Sequence, residues 1–259
     1  MLSYQHAYHA GNAADLHKHA VLAFALEYLV RKDKPLSYLE THAGRGLYDL
    51  SAPEAIRTGE AAAGVGSHLE RLAADHPLRR VVSAVRAEHG ATAYPGSPLI
   101  AEQLLRKMDH RNLAELHPGE HAALLTNLPG APNLRIHKRD GLEMAKALTP
   151  PDPRRGLMLI DPSWEIRSDY ARLAKLLPLI HRKWPVGILM TWYPILPDRR
   201  HGPMVRAWQD LMPEIMIHEV LFPPARDGHG MQGSGLAIVN PPWGLDAEAD
   251  RLTTLFEGD

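Results

Sequence analysis

Gly156-Leu157-Met158-Leu159-Ile160-Asp161-Pro162-Ser163-Trp164 divides into a short apolar run and a polar turn. Such a run, bounded by turn residues, reads as a strand buried on both faces, as in a parallel sheet covered by helices. Asp161 then falls at the carboxyl end of that strand, where open α/β sheets bind ligands. A carboxylate, a proline and an aromatic in this order suit methyl transfer to a planar amino group. The exocyclic amine of adenine is a poor nucleophile because its lone pair is delocalised into the ring. Asp161 and the Pro162 carbonyl can both accept hydrogen bonds from it, letting the nitrogen pyramidalise as its proton leaves. Pro162 fixes the turn, and Trp164 offers a flat face for a base. The same letters also fit a plain strand-end turn over a core tryptophan.

Working outward, Leu36-Ser37-Tyr38-Leu39-Glu40-Thr41-His42 reads as the first strand and runs into Ala43-Gly44-Arg45-Gly46. A strand entering a glycine turn is a nucleotide-type loop of a doubly wound sheet. It lacks the Gly-Lys-Ser/Thr of a P-loop and the full dinucleotide fingerprint, and a simple tight turn explains it nearly as well. Ahead of it, Asn12 with Asp15 looks like an N-cap and an acidic first turn, opening a helix to about Arg31. Leu16, Ala20, Val21, Phe24, Ala25, Tyr28 and Leu29 give that helix one apolar side, with His17 and Lys18 off its centre.

Residues 49–95 differ in character. Ala, Arg, Glu and Leu dominate, with helical spacing near 65–74 and 78–89 and no evident strand. They read as a helical insertion subdomain, with 1–48 and 96–259 forming the main domain. Ser97 is expected to cap the helix that follows, with Pro98 at its first position. Asn112-Leu113-Ala114-Glu115-Leu116-His117 reads as the second strand, ending near Glu115, where a carboxylate can hold both hydroxyls of a ribose. Residues 134–138 form the third strand, ending at Asp140-Gly141. Asp140 fits either a helix cap or an acceptor for an adenine amine.

Beyond Asp161 come a helix over 170–183, a strand over 186–193, a helix over 205–212, and two strands over 215–222 and 235–240. A Gly-rich link between the last two suits an antiparallel hairpin at a sheet edge. The fold class is therefore α/β, seven strands in a mixed sheet, with the outline of a Rossmann-like methyltransferase.

Asn240-Pro241-Pro242-Trp243 also resembles a methyltransferase tetrad, and more closely in letters. It follows the last strand, beyond any crossover, where such sheets do not usually bind ligands, so Asp161 is the favoured site.

The 259 residues suffice for one large α/β domain, and 45% apolar content fills its core. A net charge of −1 gives no global positive field, so nucleic-acid contact must come from local patches. The absence of cysteine removes disulfides, thiolate metal sites and a cysteine nucleophile, and fits a cytoplasmic protein. The amino terminus is not a signal peptide, and no apolar stretch is long enough to span a bilayer. Among sixteen histidines, His6 with His9 or His17 with His19 could pair on a metal, but no ligand frame completes a site, so no metal is expected. No G-x-S-x-G elbow supports a serine hydrolase.

Met1-Leu2-Ser3-Tyr4, His9-Ala10-Gly11-Asn12, Lys18-His19, Thr41-His42-Ala43-Gly44, Arg57-Thr58-Gly59-Glu60, Tyr94-Pro95-Gly96-Ser97-Pro98-Leu99, Glu115-Leu116-His117-Pro118 and Asn240-Pro241-Pro242-Trp243 together resemble the RlmJ family. The resemblance covers essentially the whole chain. It implies a bacterial methyltransferase that modifies an adenine N6 in 23S ribosomal RNA with S-adenosylmethionine, on a seven-stranded sheet with a small helical subdomain after the first strand. It further implies that His19, His42, Ser97, Glu115, Asp140 and Gly141 line the cofactor pocket. Asp161 would touch both cofactor and target amine and accept the proton, and Tyr4 would meet the RNA. The family pattern is Asp-Pro-Pro-Tyr where this chain has Asp-Pro-Ser-Trp. Ser163 restores a backbone N–H and frees φ, while Trp164 enlarges the expected stacking surface. Activity is expected to survive the change.

The expected reaction is in-line methyl transfer to an adenine unstacked from RNA, by a monomer free of metal and membrane. Two alternatives stand beside it. One is a different acceptor, such as a DNA adenine or another planar amine. The other is a non-catalytic nucleic-acid-binding protein linked to the use of external DNA.

Overall fold

A computed structural model describes residues 6–130, 132–223 and 230–257. Nine strands form two sheets among those residues. The large sheet contains β1 (Ser37–Glu40), β4 (His110–Ala114), β5 (Leu134–His137), β6 (Gly156–Ile160), β7 (Ile188–Ile195), β8 (Met216–Leu221) and β9 (Gly233–Val239). Its order is β5-β4-β1-β6-β7-β9-β8. The first five are parallel to one another, and β9 runs antiparallel between β7 and β8. The chain reverses its direction of travel across the sheet between β1 and β6. The carboxyl ends of those two strands therefore flank the crevice where such sheets bind ligands. The apolar run ahead of Asp161 is β6, and all five of its residues are buried.

Helices cover both faces. On one lie α1 (Ala13–Val30), α3 (Pro77–His89), α4 (Ser97–Leu104), α5 (Pro118–Asn127) and α9 (Leu245–Glu257), closing a core that includes Leu16, Leu22, Leu26, Leu78, Leu124 and Leu252. On the other lie α6 (Gly141–Leu148), α7 (Ser168–Lys183) and α8 (Gly202–Leu211), around Leu142, Leu173, Trp184 and Trp208. The Asn12 side chain caps α1 by accepting from Asp15 N at 2.8 Å. Of the apolar side read for α1, Leu16, Ala20, Val21, Ala25 and Leu29 are buried, while Phe24 and Tyr28 are only half-buried. Leu22 and Leu26 are buried as well, so the amino-terminal half of the helix is enclosed nearly all round, His17, Lys18 and His19 included. No helix among the described residues is long and apolar enough to cross a membrane.

Residues 49–95 hold α2 (Pro53–Thr58), two short helical turns at Ala62–Gly66 and Leu69–Arg71, and α3. They are closed by a two-stranded ribbon, β2 (Leu47–Asp49) against β3 (Ala93–Pro95), that the sequence pattern does not reveal. With three residues each, these strands are too short to show alternation. The helix expected over 65–74 is broken because the chain there packs on the start of α1. Val65 N donates to Gly11 O at 2.9 Å, and a Cβ at Gly64 would lie 2.3 Å from that oxygen. His76 caps α3 and also meets Glu248 at 2.9 Å, tying the segment to α9.

Candidate active site

The turn after β1 is built from glycines because its backbone demands them. Gly44 and Gly46 sit at φ +62° and +77°, in the left-handed region. A Cβ at Gly44 would also meet the Tyr48 hydroxyl at 2.5 Å. Gly44 N donates to Glu115 Oε2 at 2.8 Å, and His117 N donates to Glu115 Oε1 at 2.7 Å. Glu115 therefore ties the end of β4 to the glycine turn, and burial pushes its carboxyl above the usual range. Next door, Gly141 opens α6 directly beneath Thr41, where a Cβ would lie 1.7 Å from the Thr41 carbonyl oxygen. No other residue fits there. Asp140 caps that helix by accepting from Leu142 N and Glu143 N at 2.8 and 3.0 Å, with Arg172 at 3.3 Å. Burial opposes the Asp140 charge, but the two amides and the guanidinium outweigh it and hold the carboxyl below its ordinary value.

Asp161 lies just past β6. Lys18 Nζ donates to its Oδ2 at 2.7 Å and reaches Asp15 Oδ1 at 2.9 Å. Burial works against the Lys18 charge, yet the two carboxylates raise its pKa, so it stays an ammonium. Asp15 also accepts from Gly11 N at 2.9 Å and meets His6 Nε2 at 2.8 Å. Burial likewise opposes its ionisation, but His6 and Lys18 hold it well below the usual carboxylate range. His19 is neutral: burial drives its pKa down to about 3, and its Nδ1 shares a hydrogen bond with the Tyr94 hydroxyl at 2.8 Å. Burial brings His42 down to about 4, so it too is neutral, with Nδ1 against Thr41 Oγ1 at 2.8 Å.

Ser97 does not cap α4. The capping position is Gly96, which makes no side-chain bond, and the Ser97 hydroxyl donates instead to Glu40 Oε1. Glu40 also accepts from Tyr38 at 2.8 Å. It is fully buried, and this raises its pKa to about 8. Glu40 is a strand-end carboxylate directly under the crevice that the sequence reading passed over.

His19, His42, Ser97, Glu115, Asp140, Gly141, Asp161 and Pro162 line one cavity of about 260 Å³ at the carboxyl ends of the parallel strands. Tyr4 lies outside the described residues. Trp164 departs from expectation. At φ +58° its side chain turns inward, it is 6% exposed, and its ring packs 4.5 Å from Tyr170 within the core under α7. As placed, it offers no face to the cavity. The reading of 161–164 as a strand-end turn over a core tryptophan holds for this residue. The aromatic in the cavity wall beside Asp161 is Trp192, in β7.

Three participants went without a role in the sequence reading. Lys18 and Asp15 stand three apart on one helix, a visible ion-pair spacing, but nothing local points from Lys18 to Asp161. Trp192 falls near the end of the strand expected over 186–193 and level with Asp161 on the neighbouring strand, a usable signal, although β7 itself runs on to Ile195. The rival tetrad sits at the opposite end of the sheet. Val239 pairs with Leu189, and Asn240 donates to the Pro185 and Gly187 carbonyls ahead of β7. Trp243 there is 81% exposed.

Residues 33–257 match the family model described as ribosomal RNA large subunit methyltransferase D, RlmJ. The chain is 36% identical over 256 residues to ribosomal RNA large subunit methyltransferase J of Escherichia coli, covering 97% of this chain and 91% of that protein. It is equally similar, at 36% over 257 residues, to the Haemophilus influenzae protein of the same name, covering 97% and 92%. A crystal structure of a Legionella pneumophila protein superposes with a TM-score of 0.86 at 34% identity, over 96% of this chain and 94% of that one. A model match over most of the chain, near-full-length relatives above 30% identity and the crevice between β1 and β6 agree: the chain belongs to the RlmJ family of methyltransferases.

Proposed function

We propose that the protein carries a methyl group from S-adenosylmethionine to the N6 amine of an adenine in 23S ribosomal RNA. The observation that carries this reading is Asp161 at the end of β6, gripped by Lys18, in one cavity with the glycine turn after β1.

The cavity fits a cationic donor. Its wall holds seven carboxyl groups, of Asp15, Glu115, Glu120, Asp140, Asp161, Glu165 and Asp169, against Lys18 and Arg172 in the wall and Arg45, which pairs with Glu120. Such a lining favours a sulfonium and disfavours a polyphosphate. Each Glu115 oxygen holds one backbone amide and keeps a lone pair for a ribose hydroxyl. Neutral His42, Asp140 and Gly141 complete that side, and His19 and Ser97 the floor. Bound there, S-adenosylmethionine supplies an electrophilic methyl. The same acidic wall repels an RNA backbone, so a single unstacked base is the part of the RNA suited to entering.

Asp161 then does two things. Lys18 occupies Oδ2 and fixes the carboxylate plane, and among the described residues Oδ1 has no hydrogen-bond partner. Oδ1 and the Pro162 carbonyl accept the two hydrogens of the adenine amine. With the amine so held, its nitrogen would take the methyl group that S-adenosylmethionine supplies, the sulfur leaving as a neutral thioether, and the proton the amine gives up would pass to Oδ1. Holding the partners in attack geometry supplies about 7–11 kcal/mol at best.

The test is transfer of labelled methyl to unmodified 23S RNA fragments, with the product nucleoside identified by mass. N6-methyladenosine formed from RNA and not from matched DNA supports the reading. Label recovered on another nucleoside, or on none, rejects it.

A further inference from the structure

We infer that Trp192 supplies the aromatic face against which the target base packs. This rests on the adenine reading above and assigns to Trp192 the part that the sequence suggests for Trp164.

Position comes first. Ile160 pairs with Thr191, so Asp161, just past the end of β6, lies level with Trp192, from which β7 runs on to Ile195. In the sheet order, β7 lies on the side of β6 away from β1. Trp192 therefore stands across Asp161 from Gly44, Glu115 and Asp140. A base whose amine meets Asp161 from the side opposite the methyl donor comes to rest there. The Lys18 ammonium lies 5.6 Å from the centre of the indole ring, so the ring and the amine-binding carboxylate share one cation.

Orientation is the second point. The indole N–H donates to Ser234 Oγ at 2.8 Å. That hydroxyl shares a hydrogen bond with His17 Nδ1 at 2.8 Å, His17 Nε2 with His218 Nδ1 at 2.8 Å, and His218 Nε2 with Thr253 Oγ1 at 3.0 Å. The chain runs from the cavity wall through the buried side of α1 to α9. It holds the indole by its polar edge, while the partly buried ring contributes to the cavity wall with the Lys18 ammonium over it. A stacking platform gains most when its plane is set before the base arrives. Trp164 has no such access, since Tyr170 and the α7 core enclose it.

The experiment compares full-length wild type with Trp192→Phe, Trp192→Leu and Trp192→Ala. Methyl transfer is measured against RNA concentration, and S-adenosylmethionine affinity by calorimetry. Loss of base–aromatic stacking corresponds to about a 5- to 150-fold fall in kcat/KM for RNA. That fall is expected in the Leu and Ala variants, with a smaller one in Phe and cofactor affinity unchanged in all three. A 2-aminopurine placed at the mapped target position should be quenched by wild type and Phe but not by Leu. If Trp192→Leu keeps wild-type kcat/KM for RNA, or weakens cofactor binding as much as RNA turnover, the assignment falls while the adenine reading stands. If wild type itself transfers no methyl to RNA, the adenine reading falls and takes this assignment with it.

Discussion

Lys18 and Asp161 stand 143 positions apart and meet through a 2.7 Å charge-assisted hydrogen bond. The ammonium is 5% exposed and the carboxylate 13%, so the pair is largely removed from water. Lys18 also reaches Asp15, so one ammonium joins a buried carboxylate to a largely buried one.

Replacing Lys18 with Met should therefore act twice. Breaking a buried pair by removing one partner strands the other charge and costs about 3–5 kcal/mol, seen as a lower Tm. The loss of a hydrogen bond to a charged group, about 1.5–3 kcal/mol, should appear as a 10- to 150-fold fall in kcat with cofactor affinity retained. Thermal denaturation and steady-state methyl transfer on the same preparation check both. Unchanged kcat in a folded variant would show that the carboxylate orients itself without the lysine.

Glu40 makes a prediction about pH. Its folded-state pKa of about 8 lies above the ordinary 4.5 of an unfolded glutamate. The native chain thus holds a proton that the unfolded chain has released. The stabilisation is complete below pH 4.5 and is lost as pH rises through about 8. Glu40→Gln mimics the protonated form and can still bond Ser97 and Tyr38. Its Tm should approach that of wild type near pH 5 and exceed it progressively toward pH 9. A Tm difference that stays flat with pH would mean Glu40 does not bind a proton in that window.

The two tetrad-like stretches separate by mutation. Asp161→Asn leaves the shape of the cavity but removes the proton acceptor, and a lost general base costs about 10²–10⁴-fold. Trp243→Ala touches an exposed ring at the far end of the sheet and should leave methyl transfer unchanged. Equal transfer rates in Asp161→Asn and wild type would move the chemistry away from β6.

Much of the fold was legible because its signals are local. Residues 156–160 read as a buried strand since a run apolar on both faces needs no partner to be recognised. Gly44 and Gly141 marked the turns because a positive φ or a close backbone approach excludes a side chain, whatever surrounds it. What failed to show was settled across the chain. The Lys18–Asp161 pair is a tertiary fact that helix periodicity cannot carry. Ser97 looked like a cap because serine before Pro98 favours one, but the buried Glu40 carboxylate competes for the same hydroxyl and wins it. Trp164 sat at the right distance from Asp161 in sequence, and a single left-handed residue turned its ring into the core.

That inward turn gives Trp164 a different mutational signature from a base-contacting residue. Truncating a buried Trp to Ala costs about 3–5 kcal/mol, which in a chain of this size lowers Tm by roughly 10 °C. Among the described residues, the buried Trp164 indole N–H and the buried Tyr170 hydroxyl have no hydrogen-bond partner. Neither polar atom is then a reason to keep these residue types. Trp164→Tyr, which restores the family's aromatic, should lose little stability and keep transfer. Trp164→Ala, assayed well below its Tm, should show a fallen kcat because the loop carrying Asp161 is loosened, with KM for RNA held within a few-fold. Trp192→Ala should lower Tm as well, because the ring packs against both cores and donates to Ser234, but it should differ in raising KM for RNA. A Trp164→Ala enzyme of wild-type Tm and raised RNA KM would place the base against residue 164 after all, through a loop conformation other than the one seen here.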